Sequence, residues 1–433
     1  MTRTRRFTRA LAYILVSWAP SSRADAALVD AQNESSAAVS VDAPEAVEPP
    51  LPGTLRTLTI DGLEHTTTHV VRRELQWHEG QPLDERAWTL GLTRLWNTVL
   101  FARINARRVA VEPGLFDVVL TVDENFTLYP SVTGIATSDT LWFRAGIAEN
   151  NFAGTFRELS VHYEQFNDSR GGDVYYRDPR LFDERLELSI FTGRSARPRP
   201  TFTLIRSLAR VEVAQLFNED RLRVGVRLET GFDDYTRAID GTQQPEPADA
   251  YGTVAARVRM GRLDRVRVEY DGEFVEVTPS ATYTGGPSKL FPAVSVDARM
   301  FRRWPGRINF VLRAIGAATG ASSNNFRLYI GGLETVRGYL DSYANGVAYA
   351  AANVELRWSA INWSQFVMMP TVFADAAVVG GERAGRDRLI SVGAGVRFLI
   401  PSFAAAGLRI DVAEPLVGGA GPTLSVGAYQ FFF

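Results

Sequence analysis

The sequence predicts a mainly β chain, a transmembrane antiparallel β-barrel of about sixteen strands preceded by one small α+β domain of order β-α-α-β-β. Three observations carry this. From residue 125 to residue 433 no convincing helical period is found, the segment alternates polar and apolar residues between turn residues, and the chain ends on an aromatic strand, LSVGAYQFFF. In RLELSIF, Arg185, Glu187 and Ser189 oppose Leu186, Leu188 and Ile190. RLRVGVRLE sets Arg221, Arg223, Arg227 and Glu229 against Leu222, Val224, Val226 and Leu228, and RVRVEY repeats the pattern from Arg265. A period of two means strands with one apolar and one polar face. Alternation alone also suits a soluble β-sandwich, so the length, the turns and the terminal aromatics separate the two. A spanning strand takes about 9 to 11 residues. At roughly 19 residues per strand and connection, the segment holds about sixteen, the even number of a bacterial barrel. The charged face then lines the lumen.

The N-terminus supplies the address. Residues 1–9, MTRTRRFTR, carry four arginines, and the apolar run ALAYILVSWA is followed by Pro20 and an A-x-A site at Ala24-Asp25-Ala26. That is a secretory signal peptide, residues 1–26, with an apolar run about half as long as a spanning helix needs. Its removal takes five arginines and one aspartate from 47 basic and 49 acidic residues, leaving 42 and 48, a net charge of −6. This balance suggests no nucleic-acid partner. The absence of cysteine rules out a disulfide framework, a thiolate metal site and a thiol nucleophile. Residues 27–53, rich in Ala, Ser, Pro and acidic residues, cannot bury enough apolar surface to fold and read as a disordered periplasmic linker.

Residues 54–124 form the small domain. The strand LRTLTID ends at Gly62, and helical patterns follow over residues 67–76 and 84–100. In the second, Asp84 is the N-cap candidate, and Trp88, Leu92, Leu95, Trp96 and Val99 share a face. Strands over residues 104–111 and 116–122, joined by EPG, complete a small sheet covered by two helices.

Within the barrel segment, GGLETVRGY holds one arginine, Arg337, beside Gly338 and Tyr339, in a stretch too glycine-rich for a helix or a plain strand. NVELRW and TVFADAAVV follow as alternating strands, whose parity turns Glu355 and Asp375 inward. The first of these stretches resembles the V-R-G-[FY] signature of the BamA/TamA-type outer-membrane assembly and secretion family, with Val336, Arg337, Gly338 and Tyr339 matching it in turn. NVELRW resembles the strand that follows it there, and TVFADAAVV the next, with Phe373 and Asp375 in place and Ala377 where glycine is usual. Residues 54–124 look like one POTRA domain, and Tyr429, Phe431 and Phe433 resemble the C-terminal assembly signal, with Ala428 in place of its glycine. The resemblance implies a long extracellular loop folded into the barrel, its arginine paired with Asp375 first and Glu355 second.

It further implies work on unfolded or extended client polypeptides at the outer membrane, in contact with its lipid, with the small domain in the periplasm and periplasmic chaperones or lipoproteins as candidate partners. No chemical reaction and no cofactor is required. Insertion of β-barrel proteins is the leading reading, and two-partner-type secretion of a polypeptide is the alternative. An outer-membrane hydrolase or a passive pore stands behind both. His162, with Ser160 and Glu164 on the lumenal face, lacks a G-x-S-x-G elbow and reads as polar lining. His65, His69 and His78 lack the carboxylate pattern of a metal site, and TYTGGPSK lacks the spacing of a phosphate loop. Deletion of Phe433 is expected to lower the amount of heat-modifiable barrel in the outer membrane, measured by gel migration of unheated membranes. Unchanged levels of the truncated chain would overturn the assembly-signal assignment.

Overall fold

The computed structural model describes residues 48–428, apart from 137–140, 167–168, 200, 237–248, 267, 286–288, 382–387, 402–406 and 420. The expected signal peptide, most of the expected linker, part of TYTGGPSK, and Tyr429, Phe431 and Phe433 lie outside the described residues.

The chain opens with β1 (Gly53–Asp61), α1 (Thr68–Leu75), β2 (Pro82–Leu83), α2 (Glu85–Asn97), β3 (Phe101–Glu112) and β4 (Leu115–Glu124). They build a sheet of order β2-β1-β4-β3, in which β1 runs parallel to β4 and β3 antiparallel to it. The two-residue β2 is too short to show any period in the sequence. α2 starts where Asp84 predicts, its carboxylate accepting the Ala87 N–H at 2.7 Å. Alternation along β4 buries Phe116, Val118, Leu120 and Val122 against Leu55, Leu58, Val70, Val71, Leu75 and Leu95.

Two expectations on α2 need correction. The helix stops at Asn97, so Val99, with φ +67°, lies beyond it. Trp96 is only half-buried and stands outside the core, because the space over α2 is taken by Trp77 from the connection between the helices. Trp77 is buried, stacks on Trp88 with centroids 4.7 Å apart, and donates its Nε1–H to the Ala87 carbonyl at 3.1 Å.

The two edges of this sheet differ. At Leu58 on β1 the N–H donates to Glu79 Oε1 at 3.0 Å and the carbonyl accepts from Arg72 Nη2 at 3.0 Å, so two side chains occupy that edge. The outer edge of β3 has no partner strand among the described residues.

The remaining strands are β5 (Leu128–Ala136), β6 (Leu141–Phe152), β7 (Arg157–Phe166), β8 (Ser169–Asp178), β9 (Leu186–Pro198), β10 (Thr203–Phe217), β11 (Leu222–Thr236), β12 (Asp249–Val266), β13 (Glu269–Thr284), β14 (Leu290–Trp304), β15 (Ile308–Thr319), β16 (Leu328–Ile330), β17 (Ala344–Gly346), β18 (Ala348–Trp358), β19 (Ile361–Asn362), β20 (Val367–Gly380), β21 (Arg388–Leu399), β22 (Gly407–Pro415) and β23 (Thr423–Ala428). All but β16 and β17 belong to one closed antiparallel barrel. With β19 only a two-residue extension at the foot of β20, the described residues form sixteen wall strands. Closure joins β23 to β5 through one described pair, Val426 opposite Gly134.

The RVRVEY stretch is not one strand: β12 ends at Val266 and β13 starts at Glu269, the two residues facing each other across a tight turn. Alternation that continues through a two-residue hairpin does not mark the turn. Elsewhere the parity holds. Val224, Val226, Leu228, Val354, Leu356, Val372 and Val378 are exposed on the outside, while Arg223, Glu355 and Asp375 are buried inside. An apolar exterior on a closed antiparallel barrel is a lipid-facing surface. β16 and β17 pair with each other within the loop that joins β15 to β18.

The helices of the small domain rest on the barrel turns. Buried Glu74 accepts from Arg180 at 2.9 Å and Arg73 at 3.3 Å, Asn97 bonds Asp264 and the Arg265 N–H, each at 3.1 Å, and Arg86 meets Glu219 at 2.6 Å. His69 lies 2.9 Å from Asp183, and its hydrogen bond, with that of Arg73, holds the Asp183 carboxyl below the usual range. A depressed carboxyl contributes its stabilisation above the unfolded pKa and loses it as pH falls through the folded value, so this contact weakens on acidification. At this exposed site the effect is small. Leu95→Ala is expected to destabilise the small domain by about 2–5 kcal/mol, and Trp96→Ala by less. Hydrogen exchange of the β1 and β4 amides in the full chain reads both, and an equal effect of the two would contradict the core described here.

Candidate functional site

The VRGY segment lies inside the barrel. Val336 is buried with Ile315, Ile330, Tyr339, Ala344, Ala351, Ala377, Val379 and Leu389, so the loop packs against β15, β18, β20 and β21. Ala377 admits this approach although it carries a Cβ. Arg337 follows, 1% exposed. Its Nε and Nη2 donate to the two oxygens of Asp375, each at 2.7 Å, and its backbone N–H donates to Asp375 Oδ2 at 3.0 Å. Nη1 donates to Glu355 Oε1 at 2.5 Å, and the guanidinium carbon stands 3.5 Å from the Phe373 ring centroid. Planarity matters here, because one face stacks on an aromatic while the fork meets a carboxylate along its length.

Gly338 then turns the chain at φ +89°. A Cβ at this position would stand 3.2 Å from Ser391 Cβ and 3.3 Å from the Pro415 nitrogen, so both the dihedral and the wall favour glycine. Tyr339 completes the seat. Its hydroxyl accepts the Ile390 N–H at 2.9 Å and lies 2.6 Å from the Val417 carbonyl, to which it donates. Asn353 Nδ2 donates to the Thr335 carbonyl at 2.7 Å, fixing the approach to the motif.

The structure thus brings together Val336, Arg337, Gly338, Tyr339, Glu355, Phe373 and Asp375, and adds three residues that motif reasoning missed. Arg357 donates to Glu355 Oε2 at 2.7 Å, Arg397 reaches Glu355 Oε1 at 3.3 Å and pairs with Asp411, and Asp411 stands 3.7 Å from Arg337 Nη1. Three arginines and three carboxylates form one connected network, none of the six more than 1% exposed. Parity was the available signal: Arg357 is two residues from Glu355 on the same strand face. For Asp411 the signal was a gap in the neighbouring strand. A Cβ on Gly395 would lie 2.0 Å from Asp411 Oδ1, so that glycine makes room for the carboxylate.

The other candidates are placed elsewhere. His162 Nδ1 lies 2.8 Å from Arg144 Nη2, which can only donate, and 3.0 Å from Asp173, so its neighbours are an ion pair rather than a nucleophile. His65 faces Glu124 at 3.7 Å and His69 faces Asp183. No group of three or more His, Asp or Glu residues placed to hold a metal ion is found among the described residues.

No protein-family model matches the sequence, and no curated protein matches it. Solved structures do share its fold. BamA from Haemophilus ducreyi lacking POTRA domains 1–3 aligns with a TM-score of 0.53 at 16% identity, covering 87% of this chain and 84% of that one. CdiB from Acinetobacter baumannii aligns with a TM-score of 0.59 at 14% identity over 87% and 74% of the two chains. CdiB from Escherichia coli gives 0.58 at 14% over 87% and 76%. The chain has the barrel fold of BamA and CdiB.

Breaking a desolvated pair by removing one partner costs about 3–5 kcal/mol. Arg337→Ala and Asp375→Ala are each expected to lower the temperature at which the barrel loses its compact gel migration, and the double variant to be scarcely worse than either. Arg337→Lys keeps the charge without the fork and should recover only part of the loss. Fully additive single effects would show that the two residues do not act as a pair.

Proposed function

We propose that this chain is an outer-membrane polypeptide-handling barrel of the BamA/TamA type, and that it inserts β-barrel proteins into the outer membrane. The observation that carries the proposal is the docked loop: the VRGY segment sits inside the lumen with Arg337 on Asp375 and Glu355, in a barrel of the BamA and CdiB fold. A buried charged network of this kind is weak as a source of stability. Its value is positional, because it fixes one loop to four adjacent wall strands.

Closure supports insertion. β5 closes onto β23 at Val426 opposite Gly134, and carries Pro130, opposite Ile147 of β6, which offers no N–H to any ladder. A seam strand that lacks a donor is where the wall can part and accept a client strand edge.

Residues 54–124 act in this reading as a periplasmic POTRA-type module. The outer edge of β3 is the one that accepts an extended client, since Arg72 and Glu79 close the β1 edge at Leu58. Unfolded clients, outer-membrane lipid and periplasmic chaperones or lipoproteins are its partners.

Secretion through the lumen is the second reading. It is favoured by the inner wall, where Arg177, Glu187, Arg223, Glu212, Arg257 and Glu276 form a polar, self-neutralised track from β8 to β13.

The readings divide at the seam. The chain has no native cysteine, and Val426 and Gly134 face each other across it among the described residues, so cysteines at these two positions can be joined. Oxidation is expected to stop client insertion in reconstituted vesicles, with recovery on reduction. Full insertion by the locked barrel would overturn the seam as the route of insertion, no insertion by the reduced barrel would overturn the insertase reading, and full export of a polypeptide by the locked barrel would favour secretion.

A further inference from the structure

Besides the VRGY seat, the loop between β15 and β18 bonds the wall and its turns through Arg327 to the Gly381 carbonyl at 2.7 Å and through the Glu334 carbonyl to Arg313 at 2.9 Å. Opposite its VRGY end, the turn Asn324–Phe326 lies against a different arc of wall. The Phe326 ring meets Tyr251 of β12 edge-on with centroids 5.3 Å apart, and Phe291 of β14 at 5.2 Å. Arg206 of β10 stands 4.8 Å from the same ring and reaches the Asn325 carbonyl at 3.4 Å. Nearby, Arg199 lies 3.8 Å over the Tyr329 ring and donates to Ser342 at 2.9 Å. In the ring, this arc of β10 to β14 lies three to seven strands from β20. The loop is therefore a strut between two arcs of the wall.

Its two seats differ in what they leave behind when vacated. Asp375 has no cationic partner but Arg337 among the described residues, so lifting Arg337 out strands a buried carboxylate. Arg206, in contrast, is held by both oxygens of Asp233, each at 2.7 Å, and the Tyr251 hydroxyl donates to Glu229 at 3.0 Å. Both wall groups stay satisfied without the loop. Withdrawing the half-buried Phe326 gives up ring–ring and cation–π contact and leaves no charge unpaired.

We infer that the seat formed by Arg206, Tyr251 and Phe291 is the releasable catch of this strut, and that the lumen opens when Phe326 leaves it while Arg337 stays in place. The purpose of such opening rests on the proposed polypeptide-handling role. The catch itself is a property of the barrel, and its test measures no client.

The full chain in planar lipid bilayers provides that test. Phe326→Ala is expected to raise the fraction of time in a conducting state by about tenfold or more. Phe291→Leu, which weakens the catch from the wall side, should raise it less, and both variants should keep the compact migration of a folded barrel. Folded variants that conduct no more than the unaltered chain would overturn the inference. So would Arg337→Ala, if it conducted as freely as Phe326→Ala with undiminished heat resistance, since the fixed end would then be the releasable one. If Phe326→Ala does not assemble, Phe291→Leu decides. A positive conductance result beside no client insertion by the reduced, unlocked barrel would leave the catch standing and the functional reading overturned.

Discussion

A wall that faces lipid must satisfy every backbone N–H and C=O from within the protein, and this requirement organises the rest of the molecule. Antiparallel strands meet it by pairing on both sides, and among the described residues sixteen of them close into a ring. Once the ring closes, parity has no freedom. The face that is not apolar turns inward, and with it come the arginines and carboxylates that alternate along nearly every strand. Charge that would be ordinary on a soluble surface is thereby confined to one enclosure, where it must find partners.

The enclosure meets that demand in two ways. Along β8 to β13 the wall neutralises itself, with arginines such as Arg223 reaching Glu187 two strands away and Glu212 on the adjoining strand. Along β18 to β22 it does so only in part, through Arg357 on Glu355 and Arg397 on Asp411. There Asp375 receives its cation from outside the wall, from a loop that is covalently part of β15 and β18 but folds inward. Barrel and loop are complementary for this reason. The wall lacks a cation where the loop supplies one, and the loop supplies it as an arginine, whose plane can meet a carboxylate and lie on Phe373 together.

The same asymmetry connects the site with the seam and the strut. Anchoring through Arg337 fixes the loop to strands near the closure of the barrel, while Phe326 rests on β10, β12 and β14 with contacts that leave nothing charged behind. The Arg337 anchor lies three strands from β23, where the ring closes onto β5, and the Phe326 seat on the other side of the ring. Below, the small domain is tied to the turns after β8 and β10 and to the end of β12 through Glu74, Asp183, Glu219 and Asp264, and to the end of β6 and the turn after it through Thr66 and Thr67, which meet Asn151 and the Gly154 carbonyl.

Period-two alternation, length, turn residues and the terminal aromatic strand together predicted, from the sequence alone, a barrel of about sixteen strands and the inward direction of Glu355 and Asp375, because a strand has only two faces and a fixed rise. Capping chemistry was likewise local enough to place the start of α2 at Asp84. What depended on distant parts of the chain was decided only by the tertiary structure. Trp77 displaced Trp96 from the core because a connection between helices carries no period to betray its packing. RVRVEY became a hairpin because a two-residue turn can preserve alternation on both sides. Arg397 and Asp411 joined the Arg337 network because strand register, together with the space left by Gly395, sets which inward charges meet, and neither is written in any single segment. The second seat of the loop is the clearest case. Phe326, Arg206, Tyr251 and Phe291 lie far apart along the chain and share no motif, and the pairing of β10 to β15 with the inward fold of the loop brings them to one place.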